Sequence, residues 1–149
     1  RTVDSHGRLV LATGHSSPEE HLLLAREARQ HGLQVLLTHP GNIPQLAEAA
    51  KLGAFIELNA SGINRSQEAV RAAVEMVRQV GAESIIMATD CGQMSNPYPT
   101  DCLVLAARRL RAQGITDREL DLMVKENPAR LLGLLPWREA RAAQSTAGR

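Results

Sequence analysis

Aromatic side chains are almost missing from this sequence: one Phe, one Tyr and one Trp make up 2% of 149 residues. Single-stranded nucleic-acid binders stack bases on such rings, so their scarcity removes that platform. Charge of one sign is missing too. The chain carries 17 Lys and Arg against 16 Asp and Glu, a formal net charge of +1, which gives no bulk attraction to nucleic acid, an anionic membrane or a polyanionic substrate. The expected partner is a small molecule, with no nucleic acid and no membrane. No apolar run approaches the roughly 18 residues of a membrane span, and the opening RTVDSHGRL lacks the apolar centre of a signal peptide. The two cysteines, Cys91 and Cys102, form neither a CxxC pair nor the disulfide framework of a small secreted domain. These absences together predict a cytoplasmic protein in a reducing compartment.

The length suits one compact domain with a real core, and what is present is a regular alternation of short apolar runs and amphipathic stretches. LVLAT (9–13), LQVLLTH (33–39), AFIELN (54–59) and SIIMATD (84–90) read as strands. Buried runs of this kind belong to parallel α/β sheets covered on both faces. Between them lie helices with recognisable ends. Ser17, Pro18 and Glu20 form a capping box with proline at the first helical position, and Gly32 stops that helix. A second helix near 43–52 stops at Gly53. In the third, Val70, Ala73, Val74 and Val77 make one apolar stripe that ends at Gly81. A loop with Asn96, Pro97 and Pro99 leads to a helix near 100–113. Thr116 and Glu119 offer another capping box, and Asn127 with Pro128 can open a short helix over NPARLLGLL. A tail over 136–149 loses periodicity and is expected to be disordered.

Four βα units in succession with no hairpin signal predict parallel strands joined by right-handed crossovers. No GxGxxG follows any strand, so a dinucleotide fold has no fingerprint. A complete (β/α)8 barrel takes about 250 residues. The expected fold class is therefore α/β: a partial (β/α)8 TIM-type barrel of about four βα units plus C-terminal helices, over residues 1–135.

In such barrels the reactive groups sit at the C-terminal ends of the strands. Here those ends carry His15, His39, Glu57 with Asn59, and Asp90. Strand alternation pairs His39 with Leu37 and Val35, Asp90 with Ala88 and Ile86, and Asn59 with Glu57, and each is expected to face the barrel mouth. Two imidazoles and a carboxylate suit a divalent metal, with zinc the first choice and manganese or iron alternatives. Such an ion polarises a carbonyl and brings its bound water towards a pKa of about 7, and Asp90 would take the proton. Taken singly, a strand-end histidine is more often structural, and Glu57 can instead pair with Arg65 or a neighbouring strand. Cys91 reads as a small packed residue. His6, His21 and His31 read as solvated, in a turn or on helix surfaces. The basic run Arg108, Arg109 and Arg111 sits near a helix C-terminus, where cations complement the dipole.

The phrases VLATGH, VLLTHP, TDCGQMSNPYP and ENPARLLGL, in this order, resemble the C-terminal half of the amidohydrolase superfamily of metal-dependent hydrolases, and in particular a bacterial branch of it. The resemblance covers most of residues 4–135. It implies a hydrolase of amide, ester or lactone bonds, with His15 and His39 matching the metal-ligating histidines of the fifth and sixth strands and Asp90 the catalytic aspartate of the eighth, which also ligates the metal. Glu57 and Asn59 become candidate substrate contacts. The superfamily's other ligands include an HxH motif on the first strand, and no HxH occurs here. With Arg1 rather than methionine at its start, the chain is expected to be a C-terminal portion that either meets a missing N-terminal half-barrel or forms a homo-oligomer. A decarboxylase of the same superfamily and a non-catalytic half-barrel are the alternatives. A phosphoesterase with a related histidine-rich barrel ranks last, because it wants more histidines and carboxylates.

Overall fold

The computed structural model describes residues 9–134. The tail expected over 136–149 and the turn holding His6 lie outside the described residues.

Four strands, β1 (Val10–Ala12), β2 (Gln34–Leu37), β3 (Phe55–Asn59) and β4 (Ile85–Ala88), form one sheet in the order β1-β2-β3-β4. Every pairing is parallel. The expected α/β class with four parallel βα units is the one observed. Sequential order without strand skipping is the arrangement of barrel wall, whereas a doubly wound sheet reverses direction partway. Among the described residues β1 and β4 have one strand neighbour each.

Helix α1 (Pro18–Gln30) begins at the Ser17 capping box read from the sequence, with both reciprocal hydrogen bonds present. Helix α2 (Leu46–Lys51) is shorter than expected, because Pro44 and Gln45 precede its first regular turn. A turn of helix, α3 (Ala60–Ile63), follows β3 directly and was not expected. Helix α4 (Gln67–Val80) is capped by Ser66. Its buried face consists of Val70, Ala73, Met76 and Val77, with Val74 at the margin. Helix α5 (Pro99–Ala112) is followed by α6 (Asp117–Asp121), which starts at the Thr116–Glu119 capping box. A π-type turn, Leu122–Glu126, joins it to α7 (Asn127–Leu131). The NP dipeptide therefore continues a helical run, with Glu126 before it already in the right-handed helical region.

Pairing register divides the sheet into two faces. Leu37 lies beside Ile56, and Ile56 beside Ile85. These three are fully buried in the large core that the helices complete. On the other face Leu36 lies beside Phe55 and Glu57 beside Ile86. That face has a small apolar cluster of Phe55, Ile86 and Leu131, with Val10 and Leu36 packed against it. The register corrects one expectation. Alternation places position 39 on the face of Val35 and Leu37, opposite to Glu57, Asn59 and Asp90, because side chains change face at every residue.

Asn127 anchors the C-terminal helices. Fully buried, it donates through Nδ2 to the carbonyls of Ala82 (2.8 Å) and Ile85 (2.6 Å) and accepts at Oδ1 from Arg130 (2.9 Å). Arg130, 5% exposed, also meets Glu126 at 2.9 Å.

Candidate functional site

The turns after the strands place the polar residues. After β1, Gly14 takes φ +66°, a left-handed value that glycine adopts without steric cost. After β2 and β4 the same region is occupied by larger residues. His39 has φ +24° and Asp90 has φ +48°, and these are the only non-glycine residues with positive φ in the described chain. Each such conformation costs on the order of 1–3 kcal/mol and persists only where the surroundings enforce it, most often at functional sites. The turn at His39 also takes it out of strand alternation. Its ring reaches His15 across the sheet mouth.

His15 Nε2 and His39 Nε2 are 3.0 Å apart, with ring centroids 4.6 Å apart and planes tilted by 55°. In the metal-free pair one Nε2 carries the proton and the other accepts it. With both nitrogens deprotonated the pair offers two lone pairs to one ion, at about 2.0–2.1 Å for zinc. Spacing and donor type thus fit part of a metal site. Among the described residues no three His, Cys, Asp or Glu side chains gather closely enough to hold an ion. Asp90 stands two strands away, with β3 between.

Asp90 has its own partners. Its Oδ2 accepts from Asn59 Nδ2 at 3.0 Å and from Ser61 Oγ at 3.3 Å, and Asn96 Nδ2 donates to its carbonyl at 3.4 Å. The Ser61 backbone N–H is held by the Thr89 carbonyl at 3.0 Å. Helix α3 thus brings Ser61 to the aspartate, a contact that sequence reading missed because ASGI carries no helical periodicity. Asn59 Oδ1 is buried and without a partner.

Glu57 sits between the two halves. Its Oε2 accepts the backbone N–H of His39 at 3.1 Å, so of the two structural alternatives the neighbouring strand is realised and an Arg65 ion pair is not. This hydrogen bond is one of the forces that hold His39 in its left-handed turn. His39, Glu57, Asn59, Ser61, Arg65 and Asp90 all line a cavity of about 480 Å³ whose apolar wall comes from α4. His15 is not among its lining residues.

Two expectations are corrected here. His21 is not solvated: it is 2% exposed, and its Nδ1 lies 2.7 Å from Thr13 Oγ1. Its pKa is lowered, first by burial; His39 acts in the same direction and Glu20 in the opposite one. A histidine inside a capped helix carries no sequence signal for burial except its place on the Ala25–Ala28 face. Cys91 and Cys102 are disulfide-bonded, with Cα atoms 6.7 Å apart. The loop after Asp90 folds back onto the first turn of α5, so residues without a motif spacing become neighbours, and the cysteines no longer argue for a reducing compartment. His31 is exposed, as expected. Within the basic run, Arg109 donates to the Asn64 carbonyl at 3.1 Å and Arg111 to Asp117 at 2.6 Å.

Residues 2–60 match a family described as of unknown function, DUF6282. The match spans β1, β2 and β3, and so includes His15, His39, Glu57 and Asn59 but not Asp90. No curated protein matches the chain. No helix among the described residues is long and apolar enough to cross a membrane.

Proposed function

We propose that this chain supplies the His15, His39 and Asp90 portion of a metal-dependent hydrolase of the amidohydrolase type, acting on an amide, ester or lactone bond of a small molecule. The observation that carries the proposal is the 3.0 Å approach of two imidazole Nε2 atoms from different strands at the C-terminal edge of a parallel sheet. Two neutral imidazoles are the donor set that zinc prefers, and manganese or iron also accept. A divalent ion bound there would polarise the substrate carbonyl and make hydroxide available near neutral pH.

The chain's own residues account for the rest. His15 and His39 hold the ion. Asp90, kept in place by Asn59 and Ser61, accepts the proton from the attacking water at a free lone pair and passes it to the leaving group. Glu57 fixes the His39 turn. Arg65 and Asn59 line the cavity beside Asp90 and provide donors for the substrate's polar groups. In the chain alone water would fill the ion's remaining positions, and an N-terminal half-barrel or a second copy would add a third protein ligand. The edges of β1 and β4, unpaired among the described residues, suit either source, since an unpaired edge invites a further strand. The same edges support the second reading, a non-catalytic half-barrel subunit, if no ion binds.

The test is a zinc titration of the chain by calorimetry, with His15→Ala and His39→Ala beside it. One zinc per site, lost in both variants, supports the proposal. Equal zinc affinity in all three proteins would remove it.

A further inference from the structure

His21 is a buried imidazole that the proposed chemistry does not use, and its contacts lead to both metal-binding candidates. Thr13 Oγ1, 2.7 Å from His21 Nδ1, also accepts the Thr38 backbone N–H at 3.0 Å. With the amide on one lone pair, the hydroxyl still has a proton to give and a second lone pair to offer, so it can meet His21 Nδ1 as donor or acceptor. In either tautomer of His21 the bond ties Thr13 to the buried ring. Thr38 returns the contact: its Oγ1 accepts the Gly14 N–H at 3.1 Å. Ser16 Oγ completes the turn by donating to the Thr13 carbonyl at 2.7 Å.

These bonds lie beyond the last paired residues of the two strands, Ala12 and Leu36. They are not needed to join β1 to β2, which the ladder from Val10 to Ala12 already does. What they join is the turn that carries His15 to the turn that carries His39. Thr13 and Thr38 precede those histidines by two residues and one, and Gly14 and His39 are the left-handed residues beside them. His39, the non-glycine one of the two, needs such support, because its backbone otherwise relaxes.

We infer that Thr13, clamped by buried His21 and reciprocated by Thr38, is a positioning residue that locks the two strand-end turns so that His15 and His39 present their Nε2 atoms to one divalent cation. The cation rests on the proposed function, whereas the locking of the two rings does not.

The experiment compares Thr13→Val, which keeps the shape and removes the hydroxyl, with Thr13→Ser, which keeps the hydroxyl. Thr38→Val, at a half-buried position, stands in if Thr13→Val does not fold. Each metal-free protein is examined by NMR for the ring-to-ring contact between His15 and His39, and each is then titrated with zinc. The expected result is loss of the ring contact and zinc binding weakened by about 10–100-fold in the valine variants, with the serine variant close to the parent in both. A folded valine variant with the ring contact intact would overturn the inference. So would a serine variant that fails as the valine does. If the parent itself binds no zinc, the proposed function falls, and the NMR comparison still decides the clamp.

Discussion

His39 and Asp90 each stand two residues past the end of a strand, β2 and β4, on either side of β3, and they alone among the described non-glycine residues have positive φ, +24° and +48°. Both are chemically versatile side chains in a conformation that a glycine would hold more cheaply. Retaining them at a cost of on the order of 1–3 kcal/mol each is the pattern of a site in which side-chain placement outweighs backbone comfort.

The first prediction follows from that cost. His39→Gly and His39→Ala both remove the imidazole, but only glycine fits the left-handed turn without strain. His39→Gly should be the more stable of the two by about 1 kcal/mol, measured by urea unfolding, although neither binds zinc. The reverse order would show that the turn is not held left-handed in solution.

Asp90→Asn keeps the size of the side chain and removes the proton acceptor. In an assembly that hydrolyses a chromogenic ester, amide or lactone, turnover should fall by about 10²–10⁴-fold, with the melting temperature nearly constant. Undiminished turnover would take Asp90 out of the chemistry.

Burial lowers the His21 pKa, which sets a pH dependence of stability. The unfolded chain takes up a proton at this residue below about pH 6.5, whereas the folded chain resists until lower pH. Unfolding then binds protons, so stability rises with pH through this window. The contribution is complete above the unfolded value and is lost as pH falls towards the folded one. His21→Asn should flatten the fall in urea midpoint as pH drops below about 6.5. An identical slope in the variant would mean that another group is responsible.

Asn127→Ala should destabilise the chain by about 2–4 kcal/mol, because it removes the side-chain donor to the Ala82 and Ile85 carbonyls and leaves the buried Arg130 with Glu126 alone. Zinc binding should survive wherever the protein is folded, since Asn127 anchors helices away from the strand ends. A melting curve like the parent's would show that water replaces the amide.

Val77→Asp should unfold the chain, because Val77 is 2% exposed on the core face of α4 and an ionised carboxylate has no partner there. Val74→Asp, at the margin of that face, should do less. Circular dichroism of the two variants checks the ranking.

Local rules carried much of the fold. The Ser17 and Thr116 capping boxes, the apolar runs of all four strands and the core face of α4 depend on neighbours within a few residues, so they can be read from spacing alone. The candidate site was legible in part for the same reason: polar residues following apolar runs mark strand ends, and His15, His39, Glu57, Asn59 and Asp90 all stand there. Tertiary structure decided what those residues meet. Only pairing register shows that position 39 starts on the wrong face, and only the backbone at His39 shows how its ring still reaches His15. Burial of His21, the Cys91–Cys102 bond, the Ser61 contact to Asp90 and the Asn127 anchor all join residues that sequence separation kept apart. Such contacts depend on how strands and helices stack, which no local periodicity encodes.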